Sequence, residues 1–167
     1  MAPAEQESAS GFAFLFRTDQ GLISRAQWWR GTLDLAAVLA ALTGVWLVIG
    51  RFAYEAQAPE ARADLFDAGI FAAYAYLIFF GFCVMLIGVC HYNLSAKRCR
   101  ARGRASALAG LLPLFALFSG AAHWLYPRVS EDMPYWTVGL TDLILVAVIL
   151  WNVVDLGLAG QDPGQDP

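Results

Sequence analysis

Four stretches of this chain are long and apolar enough to cross a lipid bilayer, and they leave few other folds open. They run over 31–50, 68–92, 105–126 and 135–158. A hydrocarbon core about 30 Å thick needs roughly 20 helical residues, and each stretch reaches that length. In lipid, backbone amides and carbonyls must be satisfied internally, so only helices and closed barrels span. Barrel strands alternate apolar and polar residues, whereas these runs are continuous. The expected fold is all-α: a polytopic membrane protein with four transmembrane helices. Composition agrees, with 59% hydrophobic residues and only 15% charged, against about 25% charged in soluble domains. One transmembrane domain is expected over residues 11–159, between a disordered tail at 1–10 and an irregular Gly/Pro tail at 160–167.

The charges that remain orient these spans. Lys97, Arg98, Arg100, Arg102 and Arg104 crowd into one short run between the second and third spans. Arg17, Arg25 and Arg30 precede the first span. Only Arg51, Arg62 and Arg128 fall in the other two loops, among Glu55, Glu60, Asp64, Asp67, Glu131 and Asp132. Cytoplasmic loops carry the Lys/Arg excess. The basic run and both termini are therefore expected on the cytoplasmic side. Trp46, Trp124, Tyr126, Tyr135 and Trp136 then lie near outer ends, and Trp28, Trp29 and Trp151 near inner ends, as aromatic belts require. Residues 1–10 lack Lys and Arg, and the apolar patch Phe12 to Phe16 is shorter than a signal h-region. Insertion through the first span, with no cleaved signal, is the expectation.

Ahead of the first span, Ser24 and Gln27 have capping-box spacing. The Ser hydroxyl can accept from the amide three residues on, and Gln can reach back to the cap. Ile23 and Trp28 stand where a hydrophobic staple pairs N′ with N4. A short amphipathic interfacial helix is therefore expected from Arg25, either turning at Gly31 or running straight into the span.

The stretch Gly21-Leu22-Ile23-Ser24-Arg25-Ala26-Gln27-Trp28-Trp29 resembles the opening motif of a bacterial inner-membrane family, the domain of unknown function 805. That motif reads Gly-Arg-Ile-Ser-Arg, two variable positions, then Phe-Trp. The family's second motif, Arg-Leu-His-Asp-x-Gly-Arg-Ser-Gly, resembles the run from Arg98 to Ser106, including Gly103 and Arg104. The family also commonly ends in an acidic-Leu-Gly step before a Gly/Pro-rich tail. Asp155-Leu156-Gly157 and the tail from Gly160 to Pro167 are similar. The matching family positions are Gly21, Ser24, Arg25, Trp28, Trp29, Arg98, Gly103 and Arg104. Leu22 replaces an Arg, and Arg100-Ala101 replace the family's His-Asp, which leaves a more purely cationic turn. The resemblance implies a bacterial inner (plasma) membrane location and no known activity.

Several polar residues are candidates for chemistry. His123 and Asp142 fall about two turns from the outer ends of spans three and four. Antiparallel packing would set them at similar depth, and intramembrane ionisable groups point to proton relays or counter-charges. The plainer alternative is that Asp142 pairs with His123, Arg51 or Arg128 to pin helices. Asp34 follows Arg30 at i,i+4, the spacing of an interfacial ion pair. Asp155 and Asn152 read as partners of the basic run, level with His91. Cys90, His91 and Cys99 are spread too widely for a zinc site, so no metal or other cofactor is expected. Hydrolase elbows, HExxH and P-loops are absent. Gly81, Gly88, Gly110 and Gly120 would permit close helix approach, within the protein or in a homo-oligomer.

The basic run has no aromatic partner for nucleic-acid stacking but can attract anionic headgroups. The functional expectation is a non-enzymatic membrane component. It would contact anionic lipid or a membrane-protein partner through Lys97, Arg98, Arg100, Arg102, Arg104, Trp28 and Trp29. A small transporter or ion-conducting subunit using Asp142 and His123 is the alternative, and a lipid-modifying enzyme a third.

Overall fold

The computed structural model of the chain describes residues 11–55, 68–129 and 134–159. The expected tails at 1–10 and 160–167 lie outside these residues, as do residues 56–67 of the first loop and the acids at 131 and 132. The described residues are 88% helical and contain no strand. A short helix α1 (Phe12–Phe16) precedes α2 (Arg25–Glu55) and α3 (Ala68–Ala101). A 3-10 turn (Ser106–Gly110) leads into α4 (Leu111–Leu125), which ends in a second 3-10 turn (Tyr126–Arg128). Helix α5 (Tyr135–Asn152) passes into a π-helical turn (Val153–Leu158). Four segments, Arg25–Arg51, Ala68–Ala101, Ser106–Leu125 and Tyr135–Leu158, are long and apolar enough to cross a membrane. Few of their residues are buried within the chain, so their apolar faces are open.

The capping box forms. The Gln27 amide donates to Ser24 Oγ at 3.2 Å, and the Ser24 amide donates to Gln27 Oε1 at 3.0 Å. Ile23 and Trp28 are each 1% exposed, as a staple demands. The helix so started does not turn at Gly31. It continues as α2, and Gly31 is buried against Leu94, where an added Cβ would meet a Leu94 methyl at 2.9 Å.

Helix α3 also runs further than the apolar pattern suggests. The expected end is Tyr92, yet the helix continues to Ala101 and takes Lys97, Arg98 and Arg100 with it. Neither Gly nor Pro interrupts those turns, and Lys, Arg, Ala and Leu are good helix formers. At 1.5 Å per residue the helix is about 51 Å long, well beyond the hydrocarbon thickness. It stops at Gly103, where φ is +65°. The Gly103 amide donates to the Arg100 carbonyl at 2.9 Å and the Arg104 amide to the Cys99 carbonyl at 2.8 Å. Those two bonds are a Schellman cap with glycine at C′.

Pro113 explains the 3-10 start of span three. It has no amide to return to the Ala109 carbonyl, so the first turn winds tighter before α4 begins.

The chain divides into two compact units. One comprises the start of the chain to Thr32 together with the part from Gly88 onward, and it holds the basic run, Asp155 and the His123–Asp142 pair. In it, α4 and α5 are antiparallel neighbours, and Gly88 comes within ordinary contact distance of Pro113. The other unit, Leu33–Ile87, is held by an aromatic run. The Tyr76 hydroxyl donates to the Leu42 carbonyl at 2.7 Å, and its ring lies 6.4 Å from Trp46 and 6.1 Å from Phe79.

Candidate functional site

The basic run is not a solvated loop. Lys97 and Arg98 are 0% exposed. Both sit on the extended part of α3, on the side facing the chain's own N- and C-terminal segments. Unpaired charges cannot stay buried at tolerable cost, and each cation donates to backbone oxygens. Lys97 Nζ donates to the carbonyls of Phe14 and of Leu15, the latter at 2.9 Å, and lies 4.7 Å from the Phe14 ring centroid. One turn earlier, Asn93 Nδ2 donates to the Phe16 carbonyl at 2.8 Å. A five-residue helix is too short to stand alone; Asn93 and Lys97 fasten α1 by its last carbonyls, where a cation also suits the helix dipole.

Arg98 binds in two directions. Its Nε donates to the Leu156 carbonyl at 3.1 Å and an Nη to the Ile23 carbonyl at 3.4 Å. One side chain thus joins α3 to the segment before α2 and to the end of α5. The end of the helix makes this possible. The last carbonyls of a helix have no intrahelical partner, and those of Leu156 and Gly157, where the π-helical turn ends, accept from Arg98 and from Trp29 Nε1, the latter at 3.0 Å. Gly157 is required there, since an added Cβ would meet Trp29 at 2.8 Å and Trp28 at 2.9 Å. Trp28 Nε1 donates to Ser95 Oγ at 3.2 Å, and that hydroxyl faces His91 Nε2 at 3.5 Å.

Ion pairs close the cluster at its rim. Asp155 Oδ1 accepts from Arg102 at 2.9 Å and lies 3.5 Å from Arg104. Arg100 reaches Asp19 at 3.8 Å across a more open surface. The expected pairing of Asp155 with the basic run is therefore present. Asn152, at 2% exposure, instead donates to the Val148 carbonyl of its own helix at 3.1 Å.

This geometry corrects part of the expected contact surface. Lys97, Arg98 and Trp28 are buried and have no exposed area to offer a headgroup or a partner; the chain's own carbonyls and Ser95 engage Lys97 Nζ, Arg98 Nε and one Nη, and Trp28 Nε1. Trp29 is half-buried with its indole N–H already engaged. Arg104 remains outward with its side chain 55% exposed, and Arg100 is half-buried at 31%. The three stretches that carry the family resemblance, around Gly21–Trp29, Arg98–Arg104 and Asp155–Gly157, thus meet in one place. No protein-family model, curated protein or solved structure matches the chain. Its function must be argued from the sites themselves.

A second polar group lies at the far end of α4 and α5. His123 Nε2 is 3.0 and 3.2 Å from the two oxygens of Asp142, and Ser119 Oγ donates to Asp142 Oδ1 at 2.6 Å. His123 is thus the partner that Asp142 takes among the three open to it in the sequence. Ser119, no candidate by composition, joins the pair because its i,i+4 spacing to His123 places both on one helix face. The carboxylate sits between the hydroxyl and the imidazole. Nucleophile activation needs the base against the hydroxyl, and here the hydroxyl proton points to Asp142. Both members of the pair are open to the surroundings, at 60% and 43% side-chain exposure.

Asp34 and Arg30 are exposed. Cys83, Cys90 and Cys99 are free thiols. Among the described residues no three of His, Cys, Asp and Glu gather as metal ligands.

Proposed function

We propose that this chain is a non-enzymatic component of the bacterial inner membrane, akin to the domain of unknown function 805 family, with both termini cytoplasmic. Its basic turn divides into an inner part that holds the fold and an outer part that meets anionic lipid. The observation that carries this reading is the split in burial between Lys97 and Arg98, committed to internal carbonyls, and the more exposed Arg100 and Arg104. Basic residues at a membrane surface draw anionic headgroups by about 1 kcal/mol each. The convergence of the three motif stretches on the buried cations supports the resemblance, since each stretch supplies a partner that the others need.

Extraction with polymer nanodiscs and lipid analysis tests this reading. Phosphatidylglycerol or cardiolipin should be enriched around the protein relative to bulk membrane. An unchanged lipid profile would refute it.

The hydrogen-bonded Ser119–Asp142–His123 group favours a second reading, a small transporter or ion-conducting subunit. Ionisable groups within spans commonly mark ion or proton pathways. Asp142→Asn should then abolish pH-dependent flux in liposomes, and equal flux in parent and variant removes this reading.

A further inference from the structure

Beside the capped end of α3, a groove of about 460 Å³ opens between the start of span three and the end of α5. Leu108 and Leu111 line one wall, and Ile144, Ala147, Val148 and Trp151 line the other. Arg104, just after the cap, is the charged residue among those lining it. The Schellman cap sets that position: Gly103 turns the chain with φ +65°, and the Arg104 amide is tied back to Cys99 at 2.8 Å.

The charge of Arg104 is not balanced by the carboxylate beside it. Arg102 and Arg104 share Asp155, and Arg102 takes the shorter contact, 2.9 Å against 3.5 Å. Two guanidinium groups on one carboxylate leave a positive surplus, and Arg104, the more exposed, carries it outward.

We propose that this groove is a binding site for an anionic phospholipid, one acyl chain lying along α5 and the phosphate on Arg104. The inference rests on the membrane reading above and gives it a specific place. Trp151 and Ile144 are about 10 Å apart along the helix, within the roughly 15 Å depth of one leaflet's hydrocarbon. Trp151 sits at the polar end, where indole rings favour the headgroup boundary. A transmembrane helix, about 10 Å across, packs along most of its length. A groove only two turns long with a cation at one end matches an acyl chain with a charged head instead. Because lipid tails are as apolar as Leu, the walls cannot select one lipid over another. Headgroup preference must come from Arg104, and the groove supplies only residence.

Native mass spectrometry of the purified full chain, with equal dioleoyl-phosphatidylglycerol and dioleoyl-phosphatidylcholine, tests this. The parent should retain phosphatidylglycerol over phosphatidylcholine by about fivefold, the factor one basic residue contributes near a surface. Arg104→Lys should keep the preference and Arg104→Gln should bring the ratio near one. Ala147→Trp, which fills the groove from an exposed position, should lose bound lipid of both kinds. A preference that survives in both Arg104→Gln and Ala147→Trp overturns the site while leaving the wider anionic-lipid reading standing; no preference in the parent sinks both. Retention of glycerol phosphate without acyl chains, or a protein dimer broken by Ala147→Trp, also overturns it.

Discussion

Arg102 and Asp155 lie 53 residues apart in sequence and meet at 2.9 Å, with side chains only 13% and 11% exposed. The pair fastens the end of α5 beside the cap of α3. Its shielding distinguishes it from Arg100–Asp19, where 3.8 Å and open side chains leave little to gain. Exposed pairs contribute about 0–1 kcal/mol, whereas removing one partner of a shielded pair strands the other charge.

Asp155→Asn should therefore cost about 3 kcal/mol, read from unfolding in mixed detergent micelles. The double variant Arg102→Gln with Asp155→Asn should cost less than the sum of the singles by about 1 kcal/mol or more. Strict additivity would show that the two do not act as a pair. Arg100→Gln should change stability by less than about 1 kcal/mol.

Arg98→Met removes a buried guanidinium and leaves the carbonyls of Ile23 and Leu156 without this donor. Charge-assisted hydrogen bonds contribute about 1.5–3 kcal/mol each, so a loss of about 3–5 kcal/mol is expected. Arg98→Lys should recover only part, since one ammonium cannot reproduce the two-directional fork. Full recovery by Lys would mean that charge alone matters here.

Gly157→Ala places a methyl against the rings of Trp28 and Trp29. These are packed aromatic atoms rather than mobile chain ends, so overpacking should cost about 1–3 kcal/mol. A changed tryptophan emission spectrum should accompany it, because Trp29 must leave the Gly157 carbonyl. Unchanged emission with unchanged stability would argue against this packing.

Gly103→Ala isolates backbone strain, since an added Cβ there meets nothing within 4 Å. The left-handed conformation should cost Ala about 1–2 kcal/mol, and Asn less. Equal losses for Ala and Asn would point to something other than the Schellman cap.

Much of this protein is legible without a fold. The four apolar runs dictate four helices, because lipid offers the backbone no hydrogen bonds. Ser24 and Gln27 announce the start of α2 because a capping box is closed by residues three apart. The match of His123 to Asp142 follows from antiparallel neighbours of similar length, though sequence could not choose Asp142's partner among His123, Arg51 and Arg128.

What only the tertiary structure decided is which charges face inward. A count of basic residues fixes the bias of a loop but carries no direction for each side chain, and by that count Lys97 and Arg104 are equivalent. Packing separates them. Helix α3 extends past its apolar stretch, and its last turns are enclosed by α1, by the residues before α2 and by the π-helical turn of span four. Burial there is tolerable only because those segments end in carbonyls with no helical partner, and Lys97 and Arg98 supply the missing donors. Such carbonyls arise where a short helix and the last span end and where the chain enters α2, places that apolar periodicity does not reveal.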